Sequence, residues 1–333
     1  MPEFRNFLYE TERDTFSKYA AFSSNSKGRL RFEEECAYRS VYQRDRDRII
    51  HSKAFRRLSH KTQVFISPEG DHYRTRLTHT LEVMQIARTI ARALRLNEDL
   101  CEAISMGHDL GHTPFGHSGE EVLAQCSGTS FTHYKQSLRV VDLLENGGRG
   151  LNLSFEVRDG IVNHTGQNMA STLEGIIVKY ADRIAYINHD IDDAIRAGIL
   201  TESDIPSEIS SVLGYSCRDR INSMVSSMVR ASYDRDRISM EDEIGEAMNE
   251  LREFMFRNVY LNPLAKKEEK KAKELVLDLY RYFESHPEQM PQEYQQSSDA
   301  IPVRVCDYIS GMTDRYAVAV YEKLHIPEKF RAL

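Results

Sequence analysis

The stretch HDLGHTPFGHSGE, residues 108–120, holds three of the twelve histidines of the chain together with an aspartate and a glutamate. Its adjacent His108 and Asp109 offer an imidazole nitrogen and a carboxylate oxygen, a ligand pair that suits zinc, manganese or iron better than calcium. Two ligands do not hold a catalytic metal, and His79 upstream and Asp182 downstream supply one more of each kind. These four residues predict a divalent metal site to which three helices contribute.

The composition limits the classes of protein to which the chain can belong. It is 41% hydrophobic over 333 residues and its net charge is −7, so it lacks the basic bias of a dedicated nucleic-acid binder. Its five cysteines are widely spaced and form no CxxC pair, which argues against a disulfide framework or a cysteine metal site. No signal-peptide core and no apolar stretch of membrane-spanning length is evident, so we expect a soluble protein of the reducing cytoplasm.

Helical periodicity runs through most of the chain, and strand signals are few. Asn97 is expected to cap a helix that ends near His108, and Ser171 with Glu174 is expected to form the capping box of a long helix. The methionines of residues 217–258 recur at helical spacing, which is typical of a core. The pattern predicts an all-α protein.

Segments without clean periodicity are expected to be loops or arms. Gly111 and Pro114 should end the helix of the opening motif and leave His112 and His117 on a loop over the metal site. The glycine-rich stretch 145–160 predicts an exposed loop.

Near the N-terminus, residues 1–45 are expected to form an arm that packs on the core or on a neighbouring subunit. Residues 44–58 are compatible with one helix, whose arginines form either an ordinary solvated face or, with Arg57, Lys61 and Gln63, a surface toward an anionic ligand.

Both histidine and acidic patterns also have ordinary structural explanations. A lone helical histidine such as His79 is more often a core or surface residue than a ligand. The stripe of Asp182, Tyr186, Asp190 and Asp193 on the long helix resembles the solvated face of a surface helix. Because the His108–Asp109 pair supplies the missing ligands, we expect His79 to be a ligand and the stripe to form the floor of an active site.

The ligand types suggest a reaction. A divalent ion acidifies a bound water and neutralises phosphate charge, which suits hydrolysis of a phosphoester or anhydride. No Walker loop and no nucleophilic serine or cysteine site is evident, so we expect direct attack by water. The leaving group then needs an acid, for which His117 is the candidate, and Glu120 three residues on could fix its tautomer.

Six blocks of sequence, spread across most of the chain, carry a resemblance to a known family. They are RDRDRIIHSKAFRRLSHKTQVF (44–65), GDHYRTRLTHTLEV (70–83), HDLGHTPFGHSGE (108–120), THYKQSLRVV (132–141), KYADRIAYINHDIDDA (179–194) and DYISGMTDRYA (307–317). With these blocks in family order, the chain resembles the bacterial dGTPase-like deoxynucleoside triphosphate triphosphohydrolases among the HD-domain metallohydrolases.

The resemblance implies an all-α HD fold forming one helical unit over 1–333. Within it we expect an N-terminal arm over 1–45, an HD metallohydrolase core over 46–200 and a C-terminal helical region over 201–333 that completes the substrate pocket. It implies hydrolysis at the α phosphorus of deoxynucleoside triphosphates, dGTP or others, to deoxynucleoside and tripolyphosphate. The divalent ion would be Mn, Mg, Fe, Co or Zn, with manganese or magnesium the first choice for activity.

Site residues also follow from the resemblance, position by position. The catalytic pair is His117 and Glu120, and the metal ligands are His79, His108, Asp109 and Asp182. The residues expected at the sugar are Gln63, Tyr186 and Asp190. Those expected near the phosphates are Arg76, Arg183, His112 and His133. Those expected to close the pocket are Arg252 and Tyr260.

Partners and alternative functions follow in the same way. The resemblance implies that the partners are deoxynucleoside triphosphates and further copies of the chain, in a hexamer or tetramer, with single-stranded nucleic acid as a further candidate. We expect no membrane partner, since no apolar stretch of spanning length is evident. The alternatives are another HD-domain nucleotide phosphohydrolase, or a protein that binds nucleotides or single-stranded nucleic acid on the same fold. The HTPFGHSGE stretch, with its candidate leaving-group acid, disfavours a pure binder.

Overall fold

The computed structural model describes residues 4–63, 73–128 and 130–327, apart from the side chains of 263–267. Within these ranges the backbone forms helices and connecting turns and no strand, with only the isolated bridges Arg29–Ser154 and Thr62–Thr75. The predicted all-α class is confirmed. None of the described helices is long and apolar enough to cross a membrane.

The α-helices follow one another closely along the chain. In order they are α1 (Phe4–Thr15), α2 (Val41–Ile50), α3 (Lys53–Arg57), α4 (Arg76–Ala93), α5 (Glu98–Gly107), α6 (His117–Cys126), α7 (His133–Arg139), α8 (Glu145–Gly148), α9 (Phe155–Asn163), α10 (Leu173–Arg196), α11 (Ser207–Leu213), α12 (Cys217–Ser232), α13 (Asp242–Met255), α14 (Pro263–Ser285), α15 (Gln292–Gln295), α16 (Ile301–Ser310) and α17 (Asp314–His325). Wider π-helical turns continue α7 over Val140–Leu144 and α13 over Phe256–Tyr260.

Side-chain caps fix where the central helices begin. The Asn97 side chain accepts from the Leu100 N–H and starts α5, as predicted. Helix α10 extends to Arg196 as expected, but its cap is Thr172, so the predicted Ser171–Glu174 capping box is wrong. The Glu174 carboxylate is instead buried between elements, where it accepts from the backbone N–H groups of Asn97 and Ala21.

The Glu174 carboxylate also holds the N-terminal arm to the core, because it accepts from the Ala21 N–H. Within the arm, Glu12 in α1 accepts from the Ser23 N–H at 2.7 Å and from the Ser23 hydroxyl. The expected single helix over 44–58 is broken, because the Ser52 side chain accepts from the Phe55 N–H and starts α3. The arm is bonded to its own core at Ala21 and Lys27, whereas the side chains of Phe7 and Phe32 are exposed.

Two apolar clusters hold the helices together. The larger one takes in the buried faces of α2, α4, α5, α9, α10, α12 and α13, with α4, α5 and α10 in mutual contact at its centre. The predicted methionine stripe lies in it, with Met224, Met228 and Met255 buried. The smaller cluster joins α6 to α14, α16 and α17. The opening motif runs from the end of α5 in one cluster to the start of α6 in the other.

The prediction of an exposed loop over 145–160 is wrong in its second half. Helix α9 begins at Phe155, and Leu153 and Val157 are fully buried. The cause is tertiary: the buried Asp45 carboxylate accepts from the Ser154 N–H at 2.7 Å and holds the segment against α2.

Candidate metal centre and active site

The four predicted metal ligands converge from α4, the end of α5 and α10. Nε2 of His79 lies 3.0 Å from Oδ1 of Asp182, and Nε2 of His108 lies 3.4 Å from Oδ1 of Asp109 and 3.8 Å from Oδ1 of Asp182. Donor atoms about 2.0–2.2 Å from one ion lie roughly 3–3.5 Å from one another. Ligand atoms of His79, His108 and Asp109 all lie within 4.8 Å of one another and could hold a divalent cation, and Asp182 lies beside the two histidines.

The orientation of His108 gives independent support for a cation. Its Nδ1–H donates to the Ser105 carbonyl at 2.6 Å, which leaves Nε2 as the free nitrogen. That Nε2 is buried and has no hydrogen-bond partner among the residues that the structure describes. A buried lone pair facing two carboxylates would be costly unless something positive lay between them. The residues present therefore fit a metal with mixed nitrogen and oxygen ligands.

Electrostatics keep both carboxylates ionised. Burial raises the pKa of Asp109, but the neighbouring His108, His112 and Arg76 outweigh burial and hold that pKa well below its ordinary value. The pKa of Asp182 is likewise lowered, because the hydrogen bond from His79 and the nearby His108 outweigh the effect of burial. Both oxygens can therefore serve as anionic ligands at neutral pH.

A second cluster, which we call the histidine cluster, comprises His112, His117, Glu120 and His133. The Glu120 carboxylate lies 3.3 Å from Nδ1 of His117 and 3.1 Å from Nδ1 of His133, and it accepts from the His133 N–H at 2.8 Å. The ring of His133 stacks on His112, with centroids 4.1 Å apart. Asp109 joins this cluster to the metal site, since its Oδ1 lies 3.3 Å from Nε2 of His112.

Exposure divides the histidine cluster into a buried and an open side. His112 is buried, and burial together with Arg76 lowers its pKa well below the ordinary value, so it is neutral. Burial raises the pKa of Glu120, but its bonds to His117 and His133 prevail and leave the carboxylate ionised. The side chain of His117 is 83% exposed and opens α6, instead of lying on a loop as predicted. It is the member that can reach a bound molecule from solvent.

The four residues expected at the sugar side and the pocket mouth also meet. The Tyr260 hydroxyl donates to Oδ2 of Asp190, and Arg252 interacts with the Tyr186 hydroxyl. Burial raises the pKa of Asp190 to about 7, although the Tyr260 bond opposes the shift. A half-protonated carboxyl beside a phenol can both donate to and accept from a hydroxyl-bearing ligand.

The predicted cationic residues have different environments. Arg76 is buried and its NH1 donates to Oδ2 of Asp109 at 2.8 Å, so it supports a metal ligand. Arg183 is half-buried beside Tyr186. The amide oxygen of Gln63 is buried and has no hydrogen-bond partner within residues 4–63, 73–128 and 130–327. Lys61 does not face a ligand: its ammonium is buried and donates to the carbonyls of His112 and Ser310.

His164 is a site residue that sequence reasoning missed. It follows α9, its Nδ1 donates to the Ile161 carbonyl at 2.7 Å, and its buried ring packs edge-on against His108 with centroids 4.9 Å apart. It also lies 5.4 Å from the ring of His133 and so joins the metal site to the histidine cluster. The sequence signal that could have indicated His164 is its position in VNHTG, residues 162–166, directly after the stretch 145–160 that we predicted to be a loop.

Comparisons with known families agree with this geometry. A family model described as the HD domain matches residues 76–187, which contain all four predicted metal ligands. A second model, described as the phosphohydrolase-associated domain, matches residues 238–323. A crystal structure of a hypothetical protein from Aquifex aeolicus aligns with a TM-score of 0.47 at 19% identity, covering 83% of this chain and 67% of that chain, which is too distant to add to the assignment.

Curated relatives match over nearly the whole length. A deoxyguanosinetriphosphate triphosphohydrolase-like protein of Caldanaerobacter subterraneus subsp. tengcongensis is 56% identical over 97% of this chain and 96% of its own. Relatives with the same name are 50% identical in Desulfatibacillum aliphaticivorans and 48% identical in Clostridium perfringens, each over 97% of this chain and 98% of its own. The chain therefore belongs to the deoxyguanosinetriphosphate triphosphohydrolase-like family of HD-domain proteins, which supports metal-dependent phosphohydrolase activity.

Proposed function

We propose that the protein hydrolyses deoxynucleoside triphosphates, dGTP or others, to a deoxynucleoside and tripolyphosphate. The observation that carries the proposal is that one stretch of chain, residues 108–120, contributes both to the predicted metal site and to the histidine cluster. The His79, His108, Asp109 and Asp182 cluster fits a divalent ion, and beside it Glu120 orients the exposed His117. A protein that only bound nucleotides would not need a separately held proton donor.

The reaction breaks the bond between the α phosphorus and O5′ and adds a water oxygen to that phosphorus. A divalent ion at the quartet, manganese or magnesium first among the candidates, supplies Lewis acidity toward phosphate and water. His117 gives the departing O5′ its proton from Nε2, because its Nδ1–H is directed at Glu120. Arg183, His112 and His133 line the path of the phosphates, and Arg76 acts by holding Asp109.

Sugar recognition is proposed for the other end of the pocket. Tyr186 and the Tyr260–Asp190 pair would pack against the deoxyribose, leaving no room for a 2′-hydroxyl, while Gln63 would bond a remaining hydroxyl. Arg252 would close the pocket over Tyr186. This arrangement gives a physical reason for preferring deoxynucleotides to ribonucleotides.

Product analysis tests the proposal directly. The purified chain is incubated with manganese and each deoxynucleoside triphosphate, alone and mixed, and the phosphate species are resolved by chromatography. Tripolyphosphate with free nucleoside supports the proposal, and turnover only in mixtures would add activation of one nucleotide by another. Orthophosphate or pyrophosphate would point to another HD phosphohydrolase. Binding of labelled nucleotides or single strands without turnover would point to a binding protein.

We further propose a cytoplasmic homo-oligomer, hexamer or tetramer. The described cysteines are all free thiols, in keeping with a reducing compartment. Exposed aromatic side chains of the arm, among them Phe7 and Phe32, offer apolar surface to a second copy. Light scattering after size-exclusion chromatography measures the assembly, and a monomer at micromolar concentration would contradict it.

A further inference from the structure

The DYISGMTDR stretch, residues 307–315, connects α16 to α17 and contacts the Phe115–Gly116 turn that precedes His117. Asp314, the first residue of α17, has a buried carboxylate that binds two separate segments. Its Oδ1 accepts from the Phe115 N–H at 3.0 Å, and its Oδ2 accepts from the Thr62 N–H at 2.9 Å and from the Thr62 hydroxyl. One side chain thus joins the turn before His117 to the residue before Gln63.

The turn held by Asp314 has a conformation that a side chain rarely adopts. Phe115 has φ of 60° and the following Gly116 has φ of 57°, both in the left-handed region. For an aromatic residue this backbone is strained and persists only where its surroundings hold it. The Phe115 ring is buried in the smaller apolar cluster, while its N–H is taken by Asp314. Helix α6 starts directly afterwards, with His117.

A second buried bond links the same two regions. The ammonium of Lys61 donates to the His112 carbonyl and, at 2.7 Å, to the Ser310 carbonyl. Asp314 and Lys61 therefore connect both ends of the HTPF turn to the C-terminal helices. Neither side chain bonds to one of the four predicted metal ligands within the described part of the chain.

We infer that Asp314 is a positioning residue for the reaction: it sets the direction of His117 by holding the strained Phe115–Gly116 turn, and it places Gln63 through Thr62. The inference rests on the proposed role of His117 as proton donor. It also assigns the C-terminal region a role in catalysis, since this region supplies the Asp314 carboxylate that accepts from the Phe115 N–H.

A double-mutant cycle between Asp314→Asn and His117→Ala tests the inference, using the full-length protein with manganese and an equimolar mixture of the four deoxynucleoside triphosphates. The asparagine amide has only one acceptor oxygen, so either the Phe115 N–H or the Thr62 groups lose their partner. We expect Asp314→Asn to lower kcat by about ten- to a hundredfold with the bound manganese unchanged. In the His117→Ala background the same change should cost less than about twofold, because the group it positions is gone.

Asp45→Asn is the matched control. Asp45 is also buried and also joins two segments, accepting from the Ser154 N–H and from Arg29, but it makes no contact with the Phe115–Gly116 turn in the described structure. Any effect of Asp45→Asn on kcat should be the same factor with and without His117. If Asp314→Asn behaves like this control, or leaves kcat unchanged, the inference is wrong. If His117→Ala alone keeps the full rate, it is the proposed function of His117 that fails.

Two further variants keep the test decisive if Asp314→Asn does not give folded protein. Asp314→Ser retains one hydroxyl acceptor and enters the same cycle, with folding checked by circular dichroism. Thr62→Val removes only the hydroxyl contact to Asp314 and leaves the Phe115 bond in place. Because Thr62 places Gln63, this variant should have a higher KM with little change in kcat. A fall in kcat as large as that of Asp314→Ser would contradict the inference that Asp314 orients His117 through Phe115 and places Gln63 through Thr62.

Discussion

Nε2 of His79 lies 3.0 Å from Oδ1 of Asp182, although 103 positions separate the two residues in the chain. The contact joins α4 to α10 at the point where the His108–Asp109 pair leaves α5. Because both donor atoms face the same space, removing either should open the metal site and leave the helices in place.

We expect Asp182→Asn to lose bound metal and activity together, since an amide is a far weaker ligand than a carboxylate. Metal content by plasma mass spectrometry and the rate with added manganese are the measurements. Asp193→Asn is the control, because Asp193 lies on the same helix but pairs with Arg74 outside the quartet. Retention of stoichiometric metal by Asp182→Asn would remove this residue from the ligand set.

His117→Ala should have the opposite profile. The side chain is exposed and touches no metal ligand directly, so metal content and melting temperature should stay at wild-type values. The rate should fall by about a hundred- to ten-thousandfold if His117 is the general acid. Steady-state kinetics beside metal analysis decide the matter, and a variant that keeps both its metal and its rate would exclude the assigned role.

Asp190 should make stability depend on pH. Burial raises its pKa in the folded protein to about 7, above its ordinary value. Between that ordinary value and pH 7, the Asp190 carboxyl is deprotonated in the unfolded chain but still protonated in the folded chain. The contribution of Asp190 to the free energy of unfolding is therefore largest at low pH and falls as the pH rises toward 7. The total loss is about 4 kcal/mol at most.

Asp190→Asn resembles the protonated form and should flatten this part of the stability curve. Melting temperatures of the wild type and the variant between pH 5 and pH 8 provide the comparison. Tyr260→Phe should shift the wild-type profile to higher pH, because the Tyr260 hydroxyl lowers the Asp190 pKa. Parallel profiles for all three proteins would show that Asp190 does not titrate in this range.

Gly111 should tolerate no side chain. A Cβ there would lie 2.1 Å from the Ser137 backbone nitrogen, and backbone cannot move aside as a side chain can. Gly111→Ala should therefore destabilise the fold by about 3 kcal/mol or more. Gly107→Ala is the paired variant, because its Cβ would meet side chains and not backbone, Ile161 at 2.5 Å and Ile49 at 3.3 Å, and should cost about 1–2 kcal/mol. Urea unfolding gives both values, and equal losses would show that α7 can shift.

The sequence was sufficient for the fold class and the helices around the metal quartet. Asn97 caps α5 and α10 reaches Arg196 because these features depend on local periodicity and on side chains within a turn. The quartet was also within reach, since its residue types are restricted by metal chemistry and lie on predictable helices.

Other features depended on contacts between distant segments. Glu174 looked like half of a capping box but bonds Ala21 and Asn97, and the segment before α9 looked like a loop but is held by Asp45. For Lys61 the sequence left an anion-facing surface as an alternative, yet its ammonium is buried between two carbonyls. A hydrogen-bonding side chain can pair with near or distant partners, and the local pattern does not distinguish them.

The sequence by itself therefore determined the all-α fold class, the His and Asp residues of a cluster that could hold a metal ion, and a histidine–glutamate pair. Only the tertiary structure decided which groups face each other, including the sharing of Glu120 by His117 and His133, the place of His164 and the hold of Asp314 on Phe115. The physical reason is that ligand type and helix periodicity are local properties. Burial and directed hydrogen bonds across the core exist only once the helices have packed.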